Sequence, residues 1–211
     1  MIQIFSLPIF LIKRKMTHIR KKIDKAFDLA LLRDSLRCQS HLTIEERRVL
    51  FKLATNKSQI VEIGSYQGAS ACCFAAAPNP SLKSIYCIDT WTNEGMTEGP
   101  RDTWMQFRKN TIRYSSKIIP LRGWSVDVAD QLLLYTTKID LLFIDGAHDF
   151  MSVKADWDHF KGFLDIGSIV IFHDIGWAEG VKSVITREVD NCTDNHGSLP
   201  NMWWGTIVSK P

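Results

Sequence analysis

Gln59-Ile60-Val61-Glu62-Ile63-Gly64-Ser65-Tyr66-Gln67-Gly68-Ala69-Ser70 is the stretch that decides the fold. Ile60, Val61 and Ile63 form a short apolar, β-branched run, the signature of a strand buried on both faces. The run stops at Gly64, a second glycine follows at Gly68, and Ala69 to Ala77 is compact and helix-compatible. Strand, glycine turn and helix form the unit that holds a nucleotide-like ligand at the carboxyl end of a parallel sheet. The spacing departs from the dinucleotide fingerprint G-x-G-x-x-G, whose middle glycine lets the backbone approach a pyrophosphate. Tyr66 occupies that place and would obstruct a pyrophosphate, while Glu62 adds a carboxylate that suits a cationic ligand better.

The pattern Glu62-x-Gly64-x-Tyr66-x-Gly68-x-Ser70 resembles the first motif of class I methyltransferases, which use S-adenosylmethionine. It is most similar to the catechol O-methyltransferase-like branch and to small enzymes of sugar and antibiotic biosynthesis. The resemblance covers roughly Gln59 to Ile175.

Outward from this stretch the chain alternates strand and helix. Strands are expected at Ser84–Ile88, Lys117–Leu121, Ile139–Ile144, Ser168–Phe172 and Trp203–Ser209. Helices are expected at Arg101–Tyr114, Val126–Tyr135, Phe150–Phe163 and Glu179–Val189. That alternation predicts a doubly wound α/β fold with a mostly parallel, Rossmann-like sheet. The polar stretch from Asn191 to Asn201 falls where the resembled family has another strand, and no strand can be placed there. Upstream, Ile19, Ile23, Phe27, Ala30 and Leu31 recur at helical spacing within Thr17–Arg37. Thr43-Ile44-Glu45-Glu46 is a capping box opening a helix to about Ala54, with Asn56 as a left-handed stop. The expected organisation is one methyltransferase domain over 1–211, with 1–56 a helical extension and 57–211 the catalytic core.

At 211 residues, 45% hydrophobic and 23% charged, the chain has a globular composition. A net charge of +3 is too mild for a nucleic-acid binder, which concentrates its basic residues on one face. The five cysteines form no C-x-x-C pair, which argues against zinc and for a reducing, cytoplasmic setting. Ile2 to Ile12 is mostly apolar, broken by Pro8 and followed by Lys13-Arg14-Lys15. It is too short to span a membrane. It reads as a segment packed on the domain or without fixed structure, against the alternative of a weak membrane-surface anchor. The expected partner is a small-molecule acceptor, and a homo-oligomer stays open.

Ligands of a doubly wound sheet sit beyond the strand carboxyl ends. Asp89 ends the second strand at the distance expected of an acid that accepts from ribose hydroxyls. Trp91 is a candidate to pack on adenine, with a core role nearly as plausible. The resemblance assigns Ser125, in Gly123-Trp124-Ser125, to the adenine contact; an N-cap is its plain alternative. Together with Glu62, Gly64, Tyr66, Ser70 and Asp145 these are the expected cofactor-binding residues.

Asp145 ends a fully apolar strand and therefore needs a partner. His173-Asp174 ends the next one in the same way. In metal-dependent members of the resembled family, the matching positions hold a divalent ion, which implies magnesium or manganese at Asp145, His173 and Asp174. His173 departs from the two oxygen ligands usual there, and a metal-free site that orients a hydroxyl is the alternative. His148 stands where catechol-type enzymes carry a lysine general base, and histidine suits that work because it titrates near neutrality. The expected catalytic set is His148, Asp145 and His173. The glycine-containing loop from Trp91 to Trp104 is a candidate lid.

The activity implied is methyl transfer to oxygen, on a sugar or another polyhydroxylated metabolite. Two readings compete with it: an NAD-dependent oxidoreductase, which Tyr66 opposes, and a catalytically silent cofactor-binding scaffold.

Overall fold

A computed structural model describes residues 20, 22–94 and 99–211. The expectations placed on residues 1–16, and part of the candidate lid, lie outside them.

Seven strands form one sheet in the order β3-β2-β1-β4-β5-β7-β6: β1 (Gln59–Ile63), β2 (Ser84–Asp89), β3 (Ile118–Arg122), β4 (Ile139–Ile144), β5 (Leu164–His173), β6 (Thr193–Leu199) and β7 (Met202–Ile207). The first five pair in parallel, while β7 runs antiparallel to both β5 and β6. The expectation of a doubly wound α/β sheet is borne out. The strand order reverses between β1 and β4, so the connections leaving their carboxyl ends run to opposite faces of the sheet and open a crevice between them.

Alternate strand residues serve opposite faces, as the pleat requires. Ile60, Cys87, Leu141, Phe143 and Ile171 pack on one side with α2 (Arg33–Arg37), α3 (Ile44–Leu53), α4 (Ala69–Ala76) and α5 (Trp104–Thr111). Val61, Ile63, Ile88, Leu142, Ile144 and Phe172 pack on the other with α6 (Ser125–Leu132), α7 (Phe150–Phe160) and α8 (Glu179–Val184). This two-sided burial is why the strands read as unbroken apolar runs.

Several boundaries differ from the sequence reading. The α5 helix begins at Trp104 rather than Arg101. The helix expected over Thr17–Arg37 is interrupted at Leu32, where one helical piece over 22–31 gives way to α2. The last strand ends at Ile207, and the polar stretch left unassigned is β6, whose Asp194, Asn195 and His196 are exposed. An edge strand has one unpaired side and needs little apolar surface, so its residues carry no strand pattern. Thr43 caps α3 with the full capping box, and Asn56 takes the left-handed conformation expected of it (φ 63°).

Candidate functional site

Gly64 ends β1 at φ +87°, and a Cβ there would lie 2.0 Å from the Asp145 carbonyl oxygen. Only glycine lets the ends of β1 and β4 approach this closely. The Asp145 amide completes the junction by donating to the Ile63 carbonyl at 2.9 Å. Gly68, also left-handed, caps α4. Gly64 lines a cavity of about 930 Å³ at the switch point of the sheet, near the upper end of the usual range for small-molecule sites. Gly64, Tyr66, Asp89, Ser125, Asp145, His148, His173 and Asp174 all line it.

Asp89 is oriented by backbone. Its Oδ2 accepts from the Tyr66 amide at 2.7 Å and its Oδ1 from the Trp91 amide at 2.6 Å. A carboxylate has about four acceptor positions, so two remain for a ligand's hydroxyls. Ser125 donates its hydroxyl to Asp156, a buried acid that also lines the cavity. Burial pushes the Asp156 carboxyl up to about 6, despite that hydrogen bond.

Three expected cofactor residues stand outside the cavity lining. Trp91 is fully buried, with its ring centroid 4.7 Å from Trp104 and 4.8 Å from Phe107. The expected adenine contact is corrected to a core role. Asp89 holds the Trp91 backbone in a left-handed turn (φ 55°) beside this aromatic cluster. Glu62 projects to the α4 side of the sheet and is fully buried. Ser65, Ser70 and Cys87 surround its carboxylate, yet no hydrogen bond aligns with either oxygen. Burial pushes its carboxyl up to about 7. Ser70, buried in the first turn of α4, supports Glu62 from behind the glycine turn.

The strand ends of β4 and β5 bring three ligand-competent groups together. Asp145, His173 and Asp174 each place one ligand atom within 4.8 Å of the others. His173 Nδ1 is 3.0 Å from Asp145 Oδ1 and 3.3 Å from Asp174 Oδ1. That nitrogen is buried and has no aligned hydrogen bond. Burial disfavours the His173 charge, but Asp145, Asp174 and Glu46 outweigh it and push the imidazolium up to about 12. Burial raises the Asp145 carboxyl above its ordinary value, although His173 opposes the shift.

Asp174 is left-handed (φ 63°), an uncommon conformation for a residue other than glycine and one that concentrates at functional sites. Its Oδ1 accepts from Trp177 Nε1 and from Asn201 Nδ2, each at 2.9 Å. Its Oδ2 pairs with His148 Nε2 at 3.0 Å. Burial opposes ionisation of Asp174, but the bond from His148 and the positive charge of His173 beside it hold it well below the usual carboxylate range. The same bond raises His148, against its partial burial. The exposed indole of Trp177 lies against His148, with ring centroids 4.6 Å apart.

Asn201, Trp177 and Glu46 escaped the sequence reading. Asn201 sits in the β6–β7 turn, inside the stretch where no strand could be placed. Nothing in the sequence marks Trp177. Glu46 was legible only as a helix cap.

A methyltransferase-domain family matches residues 61–175, more than half of the chain. The chain belongs to this family. Relatives of similar sequence include a protein from Sinorhizobium fredii (26% identical, covering 74% of this chain and 18% of that protein) and one from Acanthamoeba polyphaga mimivirus (27% identical, covering 61% and 58%). The chain thus spans under two thirds of either relative. Among solved structures, an O-methyltransferase from Bacillus cereus in complex with SAH shares the fold at TM-score 0.61, 13% identity, and coverage of 88% of this chain and 90% of that one. The O-methyltransferase TomG of Streptomyces achromogenes, in complex with SAM, also gives TM-score 0.61 at 13% identity, with coverage of 88% and 89%. Family and fold both bear out the resemblance to class I methyltransferases read from Glu62 to Ser70.

Proposed function

We propose that this methyltransferase moves the sulfonium methyl of S-adenosylmethionine to a hydroxyl of a small polyhydroxylated metabolite or sugar. The observation that carries the reading is a single cavity. It joins the glycine turn and Asp89, suited to a nucleoside, to the polar cluster Asp145, His148, His173 and Asp174. Asp89 would hold the ribose, with Ser125 and Asp156 beside the adenine. The exposed face of Trp177 offers a flat apolar surface to an acceptor ring next to His148.

The donor chemistry belongs to the cofactor, whose sulfonium makes the methyl electrophilic. The chain supplies alignment and a place for the acceptor proton. A hydrogen bond to the Asp174 carboxylate keeps the proton on His148 Nε2, which leaves Nδ1 to take the proton from the acceptor hydroxyl. Asp174 fixes the ring orientation and stabilises the imidazolium that results.

The residues also fit a divalent ion, magnesium or manganese. Asp145 and Asp174 are oxygen ligands of the preferred type, and His173 Nδ1 faces them without an aligned hydrogen bond. Three of about four acceptor positions on Asp174 are used by Trp177, Asn201 and His148, so one remains. Such an ion would lower the pKa of an acceptor hydroxyl. The same crowding favours a second reading, in which Asp145, His173 and Asp174 act without metal as a scaffold that orients His148.

The test is transfer of label from methyl-labelled S-adenosylmethionine to a panel of sugars and polyhydroxylated compounds, with and without Mg²⁺ or Mn²⁺. Label in a methyl ether supports the proposal. Label on nitrogen or carbon acceptors alone contradicts it.

A further inference from the structure

The helical piece over 22–31 carries its apolar stripe on the outside. Ile23, Ala26, Phe27 and Ala30 recur at the i, i+3, i+4, i+7 spacing of a single helix face. All four are exposed, Ile23 by 63% and Phe27 by 62%. A surface helix normally turns such a face to the core and its charges to water. Here charges hold the inner side instead. Asp28, on the other side of the helix, is buried and accepts from Arg48 Nη2 at 2.8 Å, and Lys25 reaches Glu45. An apolar face left in water beside a charged anchor is the mark of a surface with something still to meet.

Cations crowd the same part of the chain. Lys13 to Lys25 carries seven lysines and arginines against one acid, Asp24, while the whole chain is only +3. Arg20 and Lys22 are exposed on the two flanks of the stripe, and neither pairs with a carboxylate among the described residues. An apolar stripe flanked by cations is the pattern of a helix that lies in the headgroup boundary of an anionic membrane. The cations meet the headgroups while Ile23 and Phe27 enter the acyl boundary. A second copy is the poorer occupant, because an isologous pairing of this stripe would bring the flanking cations of both copies together. A nucleic acid would use the charges and leave the stripe in water.

We propose that the helix over 22–31 docks this chain on an anionic lipid surface. The proposal is independent of the base and of the metal argued above. Its contact with α3 ties it to the functional site. Lys25 pairs with Glu45 in the first turn of α3, and Ile44, one residue earlier, is itself 52% exposed and extends the apolar surface. Ser40 and His41, just upstream of α3, line the cavity. Docking through this layer keeps the cavity mouth close to the bilayer, so the N-terminal helices set where the enzyme works.

The test is co-sedimentation of the full chain with vesicles of phosphatidylcholine alone and of phosphatidylcholine mixed with phosphatidylserine, at low and high salt. The parent should partition onto the anionic vesicles about tenfold or more better than onto the neutral ones, and should be released as salt screens the contact. A double variant, Ile23→Ser with Phe27→Ser, should bind about tenfold or more weakly with its melting temperature unchanged, because both side chains are exposed. Arg20→Glu with Lys22→Glu should lose binding to a similar extent, and it decides the matter if the first variant melts lower. No binding to anionic vesicles overturns the proposal, and so does equal binding to neutral ones. Parental binding by the Ile23→Ser/Phe27→Ser variant also overturns it, since charge alone would then carry the contact. Sedimentation equilibrium tests the other occupant: a parent dimer that this variant dissolves, with no vesicle binding, assigns the stripe to a second copy and overturns the proposal.

Discussion

His148 Nε2 and Asp174 Oδ2 lie 3.0 Å apart, joining the turn after β4 to the end of β5. The pair has the form of a base and its orienting acid: Asp174 is held ionised, and the far nitrogen of the ring is left for chemistry. His148→Ala should therefore lower turnover by about 10²–10⁴-fold while cofactor affinity stays nearly unchanged. His148→Gln, which keeps a hydrogen bond but cannot take a proton, should be about as slow. Single-turnover methyl transfer with each variant checks this, and near-parental rates in both would remove His148 from the proton transfer.

The divalent ion is open to a direct check. Asp145→Asn replaces a buried carboxylate beside His173 with a poorer ligand of the same shape. It should abolish stimulation by Mn²⁺, and chelation of the parent should reduce turnover to the same floor. Full turnover by a chelated parent, verified free of metal by elemental analysis, would favour the scaffold reading of Asp145, His173 and Asp174.

Glu62 makes stability depend on pH. Its carboxyl is fully buried and pushed up to about 7, from an ordinary value of 4.5. In the folded chain it holds its proton where the unfolded chain has lost it. Its favourable contribution is thus fully present below about pH 4.5 and is lost as pH rises through about 7. The difference amounts to about 3 kcal/mol at most. Glu62→Gln should gain stability relative to the parent between pH 5 and pH 8, measured by urea titration at each pH. A parent-minus-variant difference that is flat across that range would show that Glu62 stays ionised in the fold.

Gly64 is constrained twice, by its left-handed φ of +87° and by the Asp145 carbonyl 2.0 Å from where a Cβ would sit. Gly64→Ala should cost about 2–4 kcal/mol and splay the ends of β1 and β4. Denaturant unfolding reads the cost. A loss under about 0.5 kcal/mol, the range of ordinary surface changes, would show that the junction yields easily.

The parts of this molecule legible in its sequence were those with a strong local rule. Ile60–Ile63 and Leu141–Ile144 are buried on both faces, so their unbroken apolar runs announced parallel strands, and the acids at their ends stood out against them. Thr43 and Glu46 announced a helix start through a three-residue spacing. What stayed hidden depends on contacts between distant segments. The β6 strand lies on the sheet edge and carries polar residues that mimic a loop. Trp91 looked like a ligand contact because it follows Asp89, and a left-handed turn instead sends its ring into the core. Asn201 reaches Asp174 across 27 residues, and Glu46 reaches His173 across more than a hundred, with no spacing in the sequence to signal either.

The central claim is that the cavity at the β1–β4 switch point binds S-adenosylmethionine, with Asp89 on the ribose. Calorimetric titration with S-adenosylhomocysteine, on the parent and on Asp89→Ala, tests it most directly. The account predicts one site per chain in the parent, weakened by about 1–3 kcal/mol in Asp89→Ala as ribose hydroxyls lose a charged acceptor. Tight NADH binding with no response to S-adenosylhomocysteine would contradict it.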